Sequence, residues 1–385
     1  MSNKTIQSND LLVLSPKGIK ELVSYFVKAD IPILIWGQTG VGKTQIVKQI
    51  AQENGYDMLA LYLNQADTLG DLLGLPYVNA EKGITEFLPP PIIKAAEHAE
   101  KPTILFLDEI NRCRKEFRNA IYRLVQERVL DQRKLNVRIV AAANPSTDKY
   151  FDTEEFDEAF LNRFAHVGMK SDLTDWKEFA HRRGVHPTVI SFASESTAFS
   201  NDPITFSKIV TPRDLIESLS KIVNIIENDK ELTEDDKYRL IEESAKAILG
   251  IGKGIAYTKM YKDLEKPIQP DEWLLSSKEN LSNKLNELIS KGQTDIVISS
   301  VYNIARIDAK KINDTSAKKI INVLLEQTAE IIVNAIMILP EVGQDVYQKI
   351  LELAPNEARK LVSVYTEKMD LFNKQTKNAN GKSKS

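Results

Sequence analysis

Gly37-Gln38-Thr39-Gly40-Val41-Gly42-Lys43-Thr44 is entered by the apolar run Ile31-Pro32-Ile33-Leu34-Ile35-Trp36 and left by a helical pattern from Gln45 to Asn54. A glycine, four free positions and then Gly-Lys-Thr, set between a strand and a helix, is an arrangement that cradles phosphate groups. The glycines let successive backbone N–H groups converge on one point without Cβ clashes, and the helix N-terminus adds partial positive charge there. Lys43 is placed to reach the β- and γ-phosphates of a nucleotide, and Thr44 to offer its hydroxyl to Mg²⁺. A plain glycine-rich turn with an exposed lysine would need neither flank.

The totals set bounds on what surrounds this loop. A chain of 385 residues has room for two or three domains, and 42% hydrophobic with 27% charged residues is the balance of a soluble globular protein. A formal charge of -3 gives no global attraction for nucleic acid. With Cys113 as its only cysteine the chain forms no internal disulfide and no cysteine-based zinc site, which fits a reducing cytoplasm. The stretch from Met1 to Asp10 lacks the apolar core of a signal peptide, and no apolar run is long enough for a membrane span, so a cytoplasmic protein is expected.

Working outward, Gly18–Lys28 has the spacing of a packing helix before the first strand, and Met58–Leu63 reads as the second strand. Between residues 67 and 91 comes an insertion whose pieces Leu75–Val78 and Ile84–Phe87 flank a glycine-containing turn, which is the signature of a hairpin. Excursions of this length in compact domains are often functional, so a contact element is expected here. Thr103-Ile-Leu-Phe-Leu-Asp108-Glu109 is an apolar strand ending in paired acids. In a parallel sheet ligands gather at that end, so Asp108 is placed for the Mg²⁺ shell and Glu109 for the water that attacks a γ-phosphate.

Arg112, Arg114, Lys115 and Arg118 follow, with no interleaved aromatic residues, so direct nucleic-acid binding is not favoured and a neighbouring subunit is the better partner for some of them. A further strand, Asn136–Ala143, delivers Asn144-Pro145. The amide is either a turn former or, coming after the acid pair, a holder of the attacking water. Phe156–Phe164 reads as a short helix bearing Arg163, and Ala165–Met169 as a fifth strand; Arg163 has the plain alternative of an ion pair within its own subunit.

Gly37–Thr44, Leu107-Asp-Glu-Ile-Asn-Arg112, Asn144-Pro145, Phe160-Leu-Asn-Arg-Phe164 and Thr211-Pro-Arg-Asp214 together resemble the AAA+ ATPases, and within them the MoxR-like branch. The resemblance spans about Gly18 to Ile222. It implies that Asp108 and Glu109 are the Walker B pair and Asn144 the sensor-1 residue. It further implies that Arg163 is a finger inserted into the next subunit's nucleotide, and Arg213 the sensor-2 arginine on a lid. The hairpin Leu75–Phe87 looks like the helix-2 insert of that branch, near the central face of a ring. Asp175-Trp176, His186-Pro-Thr-Val-Ile190 and Thr211–Arg213 are similar to MoxR-like proteins encoded beside a protein with a von Willebrand factor A-like domain. In that family the ATPase acts as a chaperone for its partner. Where the family often has Ala-Pro after Asn-Arg, this chain has Cys113-Arg114, which touches the subunit contact and leaves the catalytic pair intact.

From Leu173 the pattern is helical only. Pro212 suits a helix's first turn and would set Arg213 at an N-terminal end facing the cleft. Gly250-Ile-Gly-Lys-Gly254 follows a helix and is read as a C-cap and turn rather than a second phosphate loop. The fold expected is a three-layer α/β core with a parallel sheet over 1–170, a helical lid over 171–266, an all-helical C-terminal domain over 267–372 and a disordered tail over 373–385. The C-terminal helices, outside the resemblance, are read as a ring cap or a docking module. The expected activity is ATP hydrolysis with Mg²⁺ at the interfaces of a homo-oligomeric ring, most simply a hexamer, used to remodel or load a client protein. Two other readings stay open: a nucleotide-switched scaffold with little turnover, and a DNA-linked motor of clamp-loader type.

Overall fold

The computed structural model describes residues 11–63, 68–81, 83–113, 115–144, 158–195 and 210–366. The expectations for Arg114, for Pro145, for the first residues of the short helix at 156 and 157, and for the polar tail lie outside these residues, as does the start of the insertion at 67. The chain divides into two compact units, one of Met1–Asp175 with Thr211–Arg213, the other of Trp176–Val210 with Asp214–Ser385.

The first unit is built on a six-stranded parallel sheet. In chain order its elements are β1 (Val13–Leu14), α1 (Pro16–Lys28), β2 (Ile33–Trp36), α2 (Lys43–Glu53), β3 (Asp57–Tyr62), α3 (Leu69–Leu73), β4 (Leu75–Asn79), β5 (Ile84–Leu88), α4 (Pro91–Glu97), β6 (Thr103–Asp108), α5 (Lys115–Glu127), β7 (Val129–Leu130), β8 (Arg133–Lys134), β9 (Val137–Ala143), α6 (Glu158–Leu161) and β10 (Ala165–Met169). The strand order is β1-β10-β2-β9-β6-β3, and every pairing between these neighbours is parallel.

Successive side chains of a strand point to opposite faces, and both faces of this sheet are covered. Ile33, Ile35, Ile104, Phe106, Val140 and Ala142 pack with Ile19, Val23, Val47 and Ile50 of α1 and α2. The alternate residues Leu34, Leu105, Leu107, Ile139 and Ala141 pack with Ile93, Phe117, Ile121 and Leu124 of α4 and α5. This is the expected three-layer α/β fold, and its continuous apolar strands follow from burial on both sides. Short edge and hairpin strands, β1 and the β7–β8 pair, are additions that two residues of sequence do not signal.

The expected hairpin is present as β4 and β5, paired antiparallel from Leu75↔Leu88 to Asn79↔Ile84. It forms its own two-stranded sheet apart from the six-stranded one. Leu75, Tyr77, Val78, Ile84 and Leu88 are all exposed on it.

Among the described residues the second unit is helical, with α7 (Leu173–Arg183), which begins in the first unit, α8 (Pro187–Glu195), a π-helical stretch Asp214–Ser220, α9 (Lys221–Asn228), α10 (Glu234–Leu249), α11 (Ile251–Asp263), α12 (Pro270–Leu275), α13 (Lys278–Ser290), α14 (Thr294–Ile304), α15 (Asp314–Leu325), α16 (Ala329–Val342), α17 (Gln344–Leu353) and a last helix over 355–366. Gly250, at φ 85°, does end α10, but α11 starts at the next residue, so only Gly250 is the turn. Gly252 and Gly254 are helical, and a Cβ on Gly254 would stand 2.5 Å from Lys246 Cα, which is why the two helices can cross there. Among the described residues no helix is long and apolar enough to cross a membrane.

The second unit buries a histidine whose ionisation affects folding. His181 is 4% exposed, stacks on Tyr302 at 5.1 Å and has Nδ1 3.3 Å from Ser299 Oγ. Burial lowers its pKa from 6.5 to about 4, helped by Lys177 and Arg306 and opposed by Asp295. The unfolded chain therefore takes up this proton below 6.5 while the folded chain resists until about 4, so stability is lost as pH falls through that window. Glu227 acts lower down. Burial raises its pKa, but bonds from His186 and Tyr261 and the charge of His186 outweigh it and bring it to about 2. Its contribution is present above 4.5 and lost as pH falls towards 2. His181→Phe keeps the stacking ring and removes the upper window. Urea unfolding should show the unsubstituted protein losing on the order of 3 kcal/mol between pH 7 and pH 4 from this group, and the variant losing that much less.

Candidate nucleotide site

Three adjacent strands, β2, β9 and β6, end side by side, and each delivers part of the site. Trp36 pairs with Ala143, and the ladder is carried one step further by Gly37 N donating to Ala143 O at 3.1 Å. The loop then turns through Gly40 at φ 81° and Gly42 at φ 101°, conformations that a side chain resists. Gly42 caps the N-terminus of α2, so the helix starts at Lys43, two residues before the sequence pattern places it. A Cβ on Gly40 would lie 2.8 Å from Thr211 Cβ, so Thr211 packs against the loop. Thr211–Arg213 belongs to the first unit although the chain around it belongs to the second. Arg213 itself is exposed.

Lys43 is 8% exposed. Its Nζ donates to Gly37 O at 2.6 Å, Gln38 O at 3.0 Å and Asn144 Oδ1 at 2.8 Å. The ammonium is thus held inside the curve of Gly37, Gln38, Thr39, Gly40, Val41 and Gly42, beside the residue that ends β9. Asn144 Nδ2 is buried and has no hydrogen-bond partner among the described residues. An orphaned donor of this kind is costly and fits an acceptor brought by a ligand. Thr44 Oγ1 donates to Asp108 Oδ2 at 3.0 Å, which joins the first turn of α2 to the end of β6. Two oxygens suit a magnesium ion that takes its remaining ligands from phosphate and water. Among the described residues no group of three or more acidic, histidine or cysteine side chains could hold a metal without such help. The residues therefore fit a magnesium nucleotide.

Glu109 follows Asp108 at φ 51°, ψ 43°, a left-handed conformation that costs a non-glycine residue on the order of 1 kcal/mol. Its N–H donates to Asp108 Oδ1 at 2.9 Å and its carbonyl accepts from Arg112 N at 2.8 Å. The kink ends the strand and turns the Glu109 carboxylate away from its direction. There Oε2 accepts from Arg112 Nη1 at 3.1 Å. Arg112, which the sequence offers to a neighbouring subunit, meets the acid three residues before it in its own chain.

Asn111 stands inside the Leu107–Arg112 motif, but sequence reasoning assigned it no role of its own. It is 4% exposed, its Nδ2 donates to Asn144 O at 2.8 Å and its Oδ1 accepts from Asn144 N at 3.3 Å. One amide side chain clasps both polar groups of one peptide residue, which fixes the direction in which the Asn144 side chain leaves β9. The available signal was a polar residue two places after an acid pair, in a short turn between apolar neighbours.

Arg163 lies in the turn after α6. Its guanidinium sits 4.5 Å from the centre of the Tyr122 ring, and Nη1 donates to Ala159 O at 2.8 Å. Among the described residues it has no carboxylate partner. The structure thus brings Lys43, Thr44, Asp108 and Asn144 together by direct bonds, sets Glu109 next to Asp108, and leaves Arg163 and Arg213 without a bond to any of them.

A six-stranded parallel sheet with a phosphate loop after β2 and an acid pair at the end of β6 is a P-loop α/β fold. Residues 32–164 match the family model of the AAA domain, dynein-related subfamily. Midasin of Giardia intestinalis is 29% identical in a 162-residue match that covers 38% of this chain and 3% of that protein. The chain thus spans only a small fraction of that curated relative. These two findings support an AAA+ ATPase domain here. Among solved structures, a Thermotoga maritima RuvB mutant is similar with a TM-score of 0.41 and 16% identity, over 66% of this chain and 79% of that one. NtrX from Brucella abortus is similar with a TM-score of 0.37 and 15% identity, over 65% and 64%.

Proposed function

We propose that the chain is a MoxR-like AAA+ ATPase that hydrolyses ATP with Mg²⁺ at the subunit interfaces of a cytoplasmic ring, most simply a hexamer, and uses the cycle to remodel or load a partner protein. The observation that carries this reading is the pair of bonds Lys43–Asn144 and Thr44–Asp108, which gathers loop, metal shell and strand ends at one point. Bound Mg-ATP supplies the transferable γ-phosphoryl group and the metal charge. Lys43 and the N–H groups of the loop hold phosphate, and Thr44 and Asp108 hold the metal. Glu109 orients the attacking water and Asn144 offers Nδ2 to it or to the γ-phosphate. Arg163 serves the neighbouring site and Arg213 touches phosphate from the lid.

In this reading the core spans 1–170, the lid 171–266 and a C-terminal docking or capping domain 267–372. The exposed apolar residues of the hairpin, Leu75, Val78 and Leu88 among them, favour a protein surface as the client or adaptor, and the resemblance at Asp175-Trp176, His186–Ile190 and Thr211–Arg213 favours one with a von Willebrand factor A-like domain. The test is the particle mass of Glu109→Gln protein with ATP and Mg²⁺ and with ADP. A species near about six times 43.4 kDa with ATP alone is the expected result. A monomer in both states would leave Arg163 without a neighbour and would sink the ring.

A further inference from the structure

His166 of β10 bridges two parts of the first unit that are far apart in sequence. Trp36 Nε1 donates to Nδ1 at 3.0 Å, and Nε2 lies 2.8 Å from Leu161 O. An indole can only donate and a carbonyl can only accept, so the two partners fix the tautomer: Nδ1 is bare and Nε2–H donates to Leu161. The ring centroids stand 6.2 Å apart with planes 20° from parallel. That is the edge-to-edge geometry of an in-plane N–H···N bond rather than a face-to-face contact.

The two ends of the bridge matter. Trp36 is the residue immediately before Gly37. Leu161 is the last residue of α6, two before Arg163, and its carbonyl also accepts from Phe164 N at 3.1 Å, while Arg163 N donates to Phe160 O at 3.1 Å. One imidazole therefore ties the entry of the phosphate loop to the turn that bears Arg163. The neighbouring β10 residues Val167 and Met169 are buried apolar side chains that serve packing. A side chain chosen for packing alone would not need an acceptor aimed at one element and a donor aimed at another.

We propose that His166 is a positioning residue that couples the phosphate loop to the Arg163 turn, so that nucleoside triphosphate on a subunit's own loop sets the position of the arginine that the same subunit presents. The coupling rests on the reading of Gly37–Thr44 as a nucleotide loop. A shift of Gly37 on phosphate binding moves Trp36, the rigid indole carries the shift to the imidazole, and the hydrogen bond to Leu161 passes it to the turn.

Amide hydrogen exchange of the full chain tests this, read over 159–164 with and without ATP and Mg²⁺, beside a direct nucleotide-binding titration of the same samples. In the unsubstituted protein ATP should change exchange in this segment by about five-fold, the scale of one hydrogen bond made or lost. Trp36→Phe and His166→Leu should bind nucleotide and lose that response. His166→Gln should keep it, because its amide carries an acceptor and a donor side by side. A response that survives in Trp36→Phe and His166→Leu would overturn the coupling alone, as would nucleotide binding by the unsubstituted protein with no change in the segment. Failure of the unsubstituted protein to bind nucleotide would overturn the loop reading and the coupling with it.

Discussion

Glu109→Gln is expected to bind ATP as the unsubstituted protein does and to release phosphate about 10²–10⁴-fold more slowly, the range covered by positioned general bases. The geometry separates the two effects. In the proposed reading nucleotide is held by Lys43, the loop and the Thr44–Asp108 pair, and the bond from Glu109 to Asp108 uses the backbone N–H, which the substitution leaves alone. Glutamine also keeps an oxygen that Arg112 Nη1 can reach, so the left-handed turn at 109 retains its partner. What disappears is the negative charge and its capacity to draw a proton from water. Steady-state phosphate release, measured beside the affinity for a fluorescent nucleotide, checks this. Turnover within about two-fold of the unsubstituted rate would remove Glu109 from the role of water-orienting base.

The fold was largely legible because its cues are local. Ile33–Trp36, Thr103–Leu107 and Val137–Ala143 are apolar runs bounded by turn residues, and a strand buried on both faces must be written that way. The hairpin was legible from the turn at Gly83, which adopts φ 67°. Residues whose function depends on strand order were harder to see. Asn111 clasps a peptide 33 residues further on, and His166 meets a tryptophan 130 residues away. Each pairing exists only because β9 lies between β2 and β6 and β10 lies on the other side of β2. Nothing in the local pattern around Asn111 or His166 announces that order. Arg112 shows a second reason. A run of basic residues after an acid pair reads as a surface for a partner, whereas the left-handed turn at Glu109 folds Arg112 back onto its own acid.

For Arg163→Ala the expected result is a loss of about 10³–10⁵ in turnover, the range attributed to arginines that stabilise the charge of a phosphoryl transition state. Mixing the variant with Lys43→Ala should restore part of it. In its own chain the Arg163 guanidinium rests on the Tyr122 ring and the Ala159 carbonyl, and it has no bond to Lys43, Thr44, Asp108 or Asn144. An arginine so placed, with no carboxylate partner among the described residues, is available to a phosphate on another subunit. Lys43→Ala removes the ammonium that three oxygens hold within the loop, so that subunit hydrolyses nothing itself but still presents Arg163. In a random equimolar mixture roughly a quarter of interfaces would pair an intact loop with an intact arginine, and activity should rise to about that share of the unsubstituted level. Each variant alone should stay inactive, and both should assemble. Recovery would mean that the reacting centre is completed across an interface. No recovery from assembled mixtures would place the arginine's action within its own subunit, and the exchange of 159–164 on nucleotide binding would then report a link inside a single site.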